Sequence, residues 1–238
     1  MSYANGPTIV TDGLILCLDA ANTKSYPGTG TAFNDLSGSG YNATLVNGPT
    51  FSSSNKGIIN FDGTNDHCTL STNSSSEIRN ITTPYTIVAW VRPYALHTGA
   101  IVGAYSCSGT TMYIYLRVYS NAGNLRAQCF YTTSTGGFGA RENYGTITLN
   151  NWVQISVVVS GTASSAYMKI YLNNSASSNY SIGAIGVVNT INWRLGAANC
   201  NADWFNGDIA KVLMYNRDFS ADEIRQNYNA LKGRYGLT

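Results

Sequence analysis

Apolar and polar side chains alternate with a period of two through much of the middle of the chain. Met112, Ile114, Leu116 and Val118 fall on one side of a strand and Tyr113, Tyr115, Arg117 and Tyr119 on the other, the pattern of a half-buried β-strand. The turn Ser120-Asn121-Ala122-Gly123-Asn124 then leads into Leu125, Ala127, Cys129 and Tyr131, which predicts a β-hairpin with one face in a core. The same alternation runs through Val153, Ile155, Val157 and Val159, and through Met168, Ile170 and Leu172, with Gly161-Thr162-Ala163-Ser164-Ser165 between them. Strands at this rate, joined by Gly, Asn and Ser turns, predict an all-β, two-sheet antiparallel sandwich rather than parallel βαβ units.

One helix is expected, at 220–233. Ser220 and Glu223 form a Ser-x-x-Glu capping box, in which hydroxyl and carboxylate satisfy exposed backbone N–H groups, and Phe219 and Ile224 are spaced as a hydrophobic staple. Ile224, Tyr228 and Leu231 share one face, and Gly233 can supply the left-handed residue that ends the helix. The stretch Asn22 to Asn55 is rich in Gly, Ser, Asn and Pro and reads as long loops, in which Asp35, Ser37 and Asn42 bond back onto their own turns. A length of 238 residues suits one β-domain over 1–238, with about 1–12 as an N-terminal extension.

Composition narrows the partners. Charged residues are 11% of the chain against roughly 25% in ordinary soluble proteins, so Asn, Ser, Thr, Gly and Tyr must supply the polar surface, which suits sugars or neighbouring subunits. A net charge of +2 with scattered Lys and Arg argues against nucleic acid as a partner, because counterion release would be small. No stretch approaches the apolar length of a membrane span, and Met1 to Pro7 lacks the basic start and apolar run of a signal peptide. The five cysteines show no CxxC spacing and only two histidines accompany them, which argues against zinc. Cys17 and Cys129 read as buried thiols in strands; Cys107 and Cys200 fall in expected loops, where one disulfide between them is conceivable.

Two segments carry more than periodicity. Ile59-Asn60-Phe61-Asp62-Gly63-Thr64-Asn65-Asp66 and Phe205-Asn206-Gly207-Asp208-Ile209-Ala210 each close an apolar strand with a Gly turn dressed in Asn and Asp. With Gly13 to Ala20, Asp35 to Leu45, Tyr85 to Pro93, Asn151 to Gln154 and Lys169 to Asn173, they give a nearly full-length order that resembles concanavalin A-like, laminin G-like jelly-roll domains. Gly6 to Leu14 and Asn227 to Gly236 resemble the versions in structural proteins of tailed bacteriophages, notably those infecting cyanobacteria. The resemblance implies a non-catalytic virion component (capsid decoration, tail or fibre) assembled in the host cytoplasm. Its implied partners are other virion proteins, copies of itself and host-surface polysaccharide. A carbohydrate-binding lectin is the alternative from another class, and a glycoside hydrolase a remote third. The chain departs from the family at His67, where many relatives carry an aromatic, and at Ala210, where a carboxylate is common.

Glycosidases of the superfold place two or three carboxylates on one strand, two or more residues apart, so that an acid and a nucleophile face the bond about 5 Å apart, and none of Glu77, Glu142 and Glu223 has a carboxylate at that sequence spacing in an alternating strand. His67 and His97 lack a nucleophile elbow and read as loop residues at strand ends. Gly136-Gly137-Phe138-Gly139 lacks the following Lys-Ser/Thr of a phosphate loop and reads as a flexible loop. Calcium is the one cofactor the residues suggest: Asp62, Asn65 and Asp66 offer oxygens in one turn, with Asp208 as a partner from the closing strand. Taken singly, each Asx is explained by turn formation.

For ligands, strands at 99–105, 111–119 and 125–132 would place the loops Tyr105–Thr110 and Thr133–Tyr144 on one rim. Tyr105, Phe138, Arg141 and Tyr144 would then form an aromatic, polar surface, with Trp204, beside Asn201 and Asp203, as a second candidate. Tyr and Trp covering sheet edges is the ordinary alternative, and Trp90 and Trp152 are expected in or near the core.

Overall fold

The structure, a computed structural model, describes residues 7–72, 77–80, 84–105, 112–186, 192–198 and 203–238, with backbone alone at 79, 80, 105, 112 and 113. In chain order the strands are β1 (Leu14–Asp19), β2 (Ala32–Phe33), β3 (Ala43–Val46), β4 (Thr50–Ser52), β5 (Ile58–Asp62), β6 (His67–Leu70), β7 (Tyr85–Pro93), β8 (Gly99–Tyr105) and β9 (Met112–Asn121). They continue as β10 (Asn124–Thr132), β11 (Phe138–Asn143), β12 (Val153–Thr162), β13 (Ser165–Leu172), β14 (Ser175–Ala176), β15 (Tyr180–Gly183), β16 (Arg194–Leu195) and β17 (Asn206–Tyr215). One turn of helix, α1 (Glu77–Asn80), precedes β7, and α2 (Ala221–Leu231) follows β17.

The strands form two antiparallel sheets. A nine-stranded sheet runs β14-β13-β12-β7-β17-β5-β4, with β1 also on β17 and β15 also on β13; an eight-stranded sheet runs β11-β10-β9-β8-β16-β6-β3-β2. This is the jelly-roll sandwich expected. The inward residues are those the alternation assigns: Ile114, Leu116 and Val118 face Leu125, Ala127, Cys129 and Tyr131 in one core with Ile155, Val157, Val159, Met168 and Ile170. Burial pushes the Cys17 thiol up to about 11 and that of Cys129 up to about 12, so both pack as small hydrophobes. The hairpin turn contracts to Ala122 and Gly123, both at positive φ, as a two-residue turn requires.

The helix lies on the outer face of the nine-stranded sheet. Ser220 Oγ accepts from the Glu223 N–H and the Glu223 carboxylate accepts from the Ser220 N–H, completing the capping box. Ile224 packs with Phe219, Val88 and Tyr215, and Tyr228 stacks on Trp90 at 5.7 Å. Asn227 is fully buried and accepts the Val10 N–H at 2.7 Å, which ties the N-terminal segment to the helix. Beyond α2 a further turn, Lys232–Tyr235, stacks Tyr235 on Trp90 at 4.3 Å. Arg234 then reaches Asp19 at 2.8 Å, the Asn55 carbonyl at 2.7 Å and the Gly57 carbonyl at 2.6 Å.

Several expectations need correction. The helical region ends at Gly236, the residue with left-handed φ, and not at Gly233, because the stacking of Tyr235 extends the coil by one turn. The stretch Asn22 to Asn55 contains β2, β3 and β4, two to four residues each and too short to show a period. Within it Asp35 accepts from the backbone of Cys17, Ser37 and Tyr41, and Asn42 from that of Asp35, the turn-forming role expected. Gly207 is not in a turn: it lies within β17 between Phe61 and Pro93, and a Cβ there would collide with the Arg92 carbonyl, so the glycine permits close strand approach. Gly63, at φ 78°, does form the expected turn. His67 opens β6 and is 6% exposed, whereas His97 stays in a loop. Cys107 and Cys200 lie outside the described residues.

Candidate functional site

The outer face of the eight-stranded sheet carries no helix among the described residues, and its polar side chains are set by strand register. Tyr115, Arg117 and Tyr119 point outward from β9, and Arg126, Gln128 and Phe130 outward from β10. Pairing places Arg117 opposite Gln128, and Gln128 opposite Glu142 of β11. Arg117 donates to Gln128 Oε1 through Nε at 2.9 Å and Nη2 at 2.7 Å, and to Asp203 Oδ2 through Nη1 at 2.8 Å. Its guanidinium lies 4.6 Å from the Phe130 ring centre and 5.0 Å from that of Tyr119, and Tyr115 donates its hydroxyl to the same Asp203 oxygen at 2.8 Å. This hub is closed on itself by short hydrogen bonds.

The next pair along the face is not. Arg126 Nη1 stands 3.6 Å from Glu142 Oε1, too far for a good hydrogen bond. Arg126 Nε and Glu142 Oε2 are buried with no protein partner, each leaving an unmade bond worth about 1–3 kcal/mol. The Tyr144 ring, 66% exposed, lies 5.1 Å over the Arg126 guanidinium. Beside them a cleft of about 400 Å³ wraps the edge strand β11, lined by Gln128, Arg141, Glu142, Tyr144, Asn179 and Tyr180. Tyr180 comes from β15 of the other sheet and donates to the Glu142 carbonyl at 2.8 Å. Burial, with the neighbouring Tyr144 and Glu142, raises its pKa, so it remains a donor. Arg141, on the other side of β11 from Glu142, donates to the Ala140 carbonyl at 2.9 Å and the Ser181 carbonyl at 3.1 Å, with its guanidinium 5.8 Å from the Tyr131 ring and 5.7 Å from that of Tyr180.

The residues expected on one rim are therefore divided. Arg141 and Tyr144 meet in the cleft, but on and after a strand: residues 138–143 of the expected loop Thr133–Tyr144 form β11, an edge strand whose half-exposed residues lack apolar alternation. Phe138, 60% exposed, stays near the β10–β11 turn on the sheet's outer face, opposite Thr132. The Tyr105 side chain lies outside the described residues. Trp204 packs beside His67, ring centres 5.9 Å apart, away from the cleft. Gln128, Arg126, Glu142 and Tyr180 are new to the site. The first two stand at outward positions of a strand the alternation already assigned; Tyr180 belongs to the opposite sheet, and no local pattern brings it to β11.

The four residues considered for calcium do not form one cage. Asp62 Oδ1 accepts the N–H groups of Thr64 at 2.7 Å and Asn65 at 3.4 Å, and Asp66 Oδ2 accepts that of Asp62 at 3.1 Å. The Thr64 N–H leads the bonds that hold the Asp62 carboxyl low, while burial raises that of Asp66. Asp208 lies elsewhere, on the outer face of the nine-stranded sheet: its Oδ2 accepts Arg92 Nε at 2.8 Å, Arg92 Nη2 at 2.6 Å and the Tyr94 hydroxyl at 2.6 Å, and its Oδ1 accepts Asn60 Nδ2 at 3.0 Å. A hard cation needs several free oxygens converging on one point; Asp62 Oδ1 and Asp66 Oδ2 serve backbone turns, and both oxygens of Asp208 are taken by Arg92, Tyr94 and Asn60. Among the described residues no cluster of three or more His, Cys, Asp or Glu is placed to hold a metal.

A second depression, about 480 Å³, lies between residues 146–153 and 235–237. It offers no free aromatic face, because the Trp152 ring has Arg92 at 5.2 Å and Tyr235 at 4.6 Å. No helix of the described residues is long and apolar enough to cross a membrane.

Solved structures share this architecture. The botulinum neurotoxin type G receptor binding domain superposes with a TM-score of 0.66 at 16% identity, over 91% of this chain and 51% of that one. The binding domain of botulinum neurotoxin DC in complex with rat synaptotagmin II gives 0.70 at 12% identity, over 93% and 52%. The Trypanosoma rangeli sialidase in complex with sialic acid gives 0.65 at 16%, over 95% and 34%. The chain thus spans about half the length of the neurotoxin domains and about a third of the sialidase; at these identities the likeness is one of fold. No curated protein matches the sequence. A laminin G-type family model, described as the concanavalin A-like lectin/glucanases superfamily, matches residues 62–225, and the chain belongs to that superfamily.

Proposed function

We propose that this domain is a non-catalytic recognition module that binds glycan in the cleft around β11, and that it serves as a component of a viral particle. The observation that carries the binding reading is the open Arg126–Glu142 pair under the exposed Tyr144 ring. Sugars present an apolar ring face and hydroxyls that donate and accept; Tyr144 offers a stacking surface, and Gln128, Arg141, Glu142 and Asn179 line the cleft with polar groups. The neurotoxin receptor-binding domains, and the sialidase bound to sialic acid, support the fold as a recognition scaffold. The particle reading rests on the resemblance of Gly6 to Leu14 and Asn227 to Gly236 to phage structural proteins.

The non-catalytic reading is supported by how the acids are used. Hydrolysis of a glycosidic bond needs two carboxyl groups flanking it. Here Glu77 accepts from Asn216, Glu223 caps α2, Asp203 is held by Arg117 and Tyr115, and Glu142 faces Arg126. A glycan array is expected to show binding that survives EDTA and is lost in Tyr144→Ala; silence across the array contradicts the binding role. Mass spectrometry of purified particles tests the second part, and absence from particles overturns it. Polysaccharide cleavage abolished by Glu142→Gln or Asp203→Asn would overturn the non-catalytic assignment.

A further inference from the structure

We infer that the glycan taken by this cleft is acidic, and that Arg141 binds its carboxylate; the inference rests on the glycan-binding reading above. Arg92, Arg117, Arg126, Arg217, Arg225 and Arg234 each stand within 4 Å of a carboxylate. Arg141 does not, although all 12 Asp and Glu of the sequence lie among the described residues. Its charge is therefore uncompensated by the chain, in a cleft wall.

The guanidinium is also held in place before any ligand arrives. Two carbonyls, those of Ala140 and Ser181, each take one N–H, and the rings of Tyr131 and Tyr180 lie against it. An arginine has five N–H groups in a planar fork, so three remain, enough for the two parallel bonds by which guanidinium grips a carboxylate. Ordering cost, the usual penalty for a long side chain, is reduced in advance. Glu142, the one acid lining the cleft, does not oppose an anion here: adjacent strand residues point to opposite faces, and its carboxylate is turned to Arg126. One unpaired arginine, with no lysine in the lining, fits a single carboxylate per sugar better than a densely sulfated chain.

The ligand class is thus a polysaccharide containing uronic acid or another carboxylate-bearing sugar, its carboxylate on Arg141, with a neighbouring sugar of the chain reaching Tyr144 around the edge strand. The test uses the full chain in calorimetric titration against a polyuronate oligosaccharide and the same oligosaccharide after its carboxyl groups are reduced to alcohols. Binding of the acidic form is expected, weakened about tenfold or more by carboxyl reduction or by Arg141→Gln, the scale of one bond to a charged group. Arg141→Lys, which keeps the charge but loses the fork, should fall between. If the reduced form binds as tightly, the acidic-ligand inference fails while glycan binding stands. If neither form binds, the acidic-ligand inference fails, and glycan binding fails with it only if the array is also silent. The reduction arm uses unaltered protein, so it decides the matter even if Arg141→Gln does not fold.

Discussion

The outer faces of the two sheets each carry an arginine–carboxylate pair, and the two are built differently. On the nine-stranded sheet Asp208 is fully buried and saturated: Arg92 at 2.6 Å, Tyr94 and Asn60 take its lone pairs, and Arg92 in turn lies over Trp152. On the eight-stranded sheet Glu142 and Arg126 stand 3.6 Å apart, and each keeps a buried atom without a partner. The first pair joins three strands beneath a face that α2 and its following turn also cover. The second lies on a face free of helix among the described residues, next to an exposed tyrosine and an arginine without an anion. The nine-stranded sheet thus closes its pair, whereas the eight-stranded sheet leaves its own unsatisfied beside the cleft in which binding is proposed.

That contrast can be broken by mutation. Arg92→Met strands a buried carboxylate and should cost about 3–5 kcal/mol in chemical denaturation while sparing glycan affinity in the surviving fold; a loss under about 1 kcal/mol would mean the closed pair is not structural. Asp19 gives the same lesson through pH. Burial opposes its ionisation, but Lys211 at 2.9 Å and Arg234 at 2.8 Å outweigh that and hold its carboxyl below the usual range. Its stabilisation is therefore complete above the unfolded aspartate value of about 4 and is lost as pH falls through the lower folded value. Asp19→Asn should flatten the acid limb of a stability–pH curve; an unchanged limb would contradict this. Ser220→Ala removes the helix cap and should lower stability by about 1 kcal/mol, seen as an earlier thermal midpoint. The smallest stability change is expected for Glu142→Gln, whose carboxylate stands 3.6 Å from Arg126, although the same change should weaken glycan binding.

Much of the scaffold could be read before any coordinates. Ile155, Val157 and Val159, or Leu125, Ala127 and Cys129, declare an inward face because strand periodicity is local, and the capping box at Ser220 and Glu223 is likewise contained in four residues. Strand β11 shows the limit: Phe138-Gly139-Ala140-Arg141-Glu142-Asn143 has no alternation, since an edge strand half in water has no apolar face to advertise. The cleft is harder still. Arg141 and Tyr144 stand out as polar and aromatic residues between strands, but Tyr180 and Ser181 arrive from the other sheet, a juxtaposition set by how the sheets stack. Asp208 reads as a closing-strand partner for the Asp62 turn, yet it pairs with Asn60 across the strands, and register sends it to Arg92.

The most direct test is amide chemical-shift mapping of the isotopically labelled domain during titration with the tightest glycan found on the array. Perturbations concentrated on Arg126–Gln128, Ala140–Tyr144 and Asn179–Ser181 are predicted. Shifts centred on the Asp62–His67 turn and Trp204, or on the depression beside Trp152, would place binding elsewhere and contradict the account.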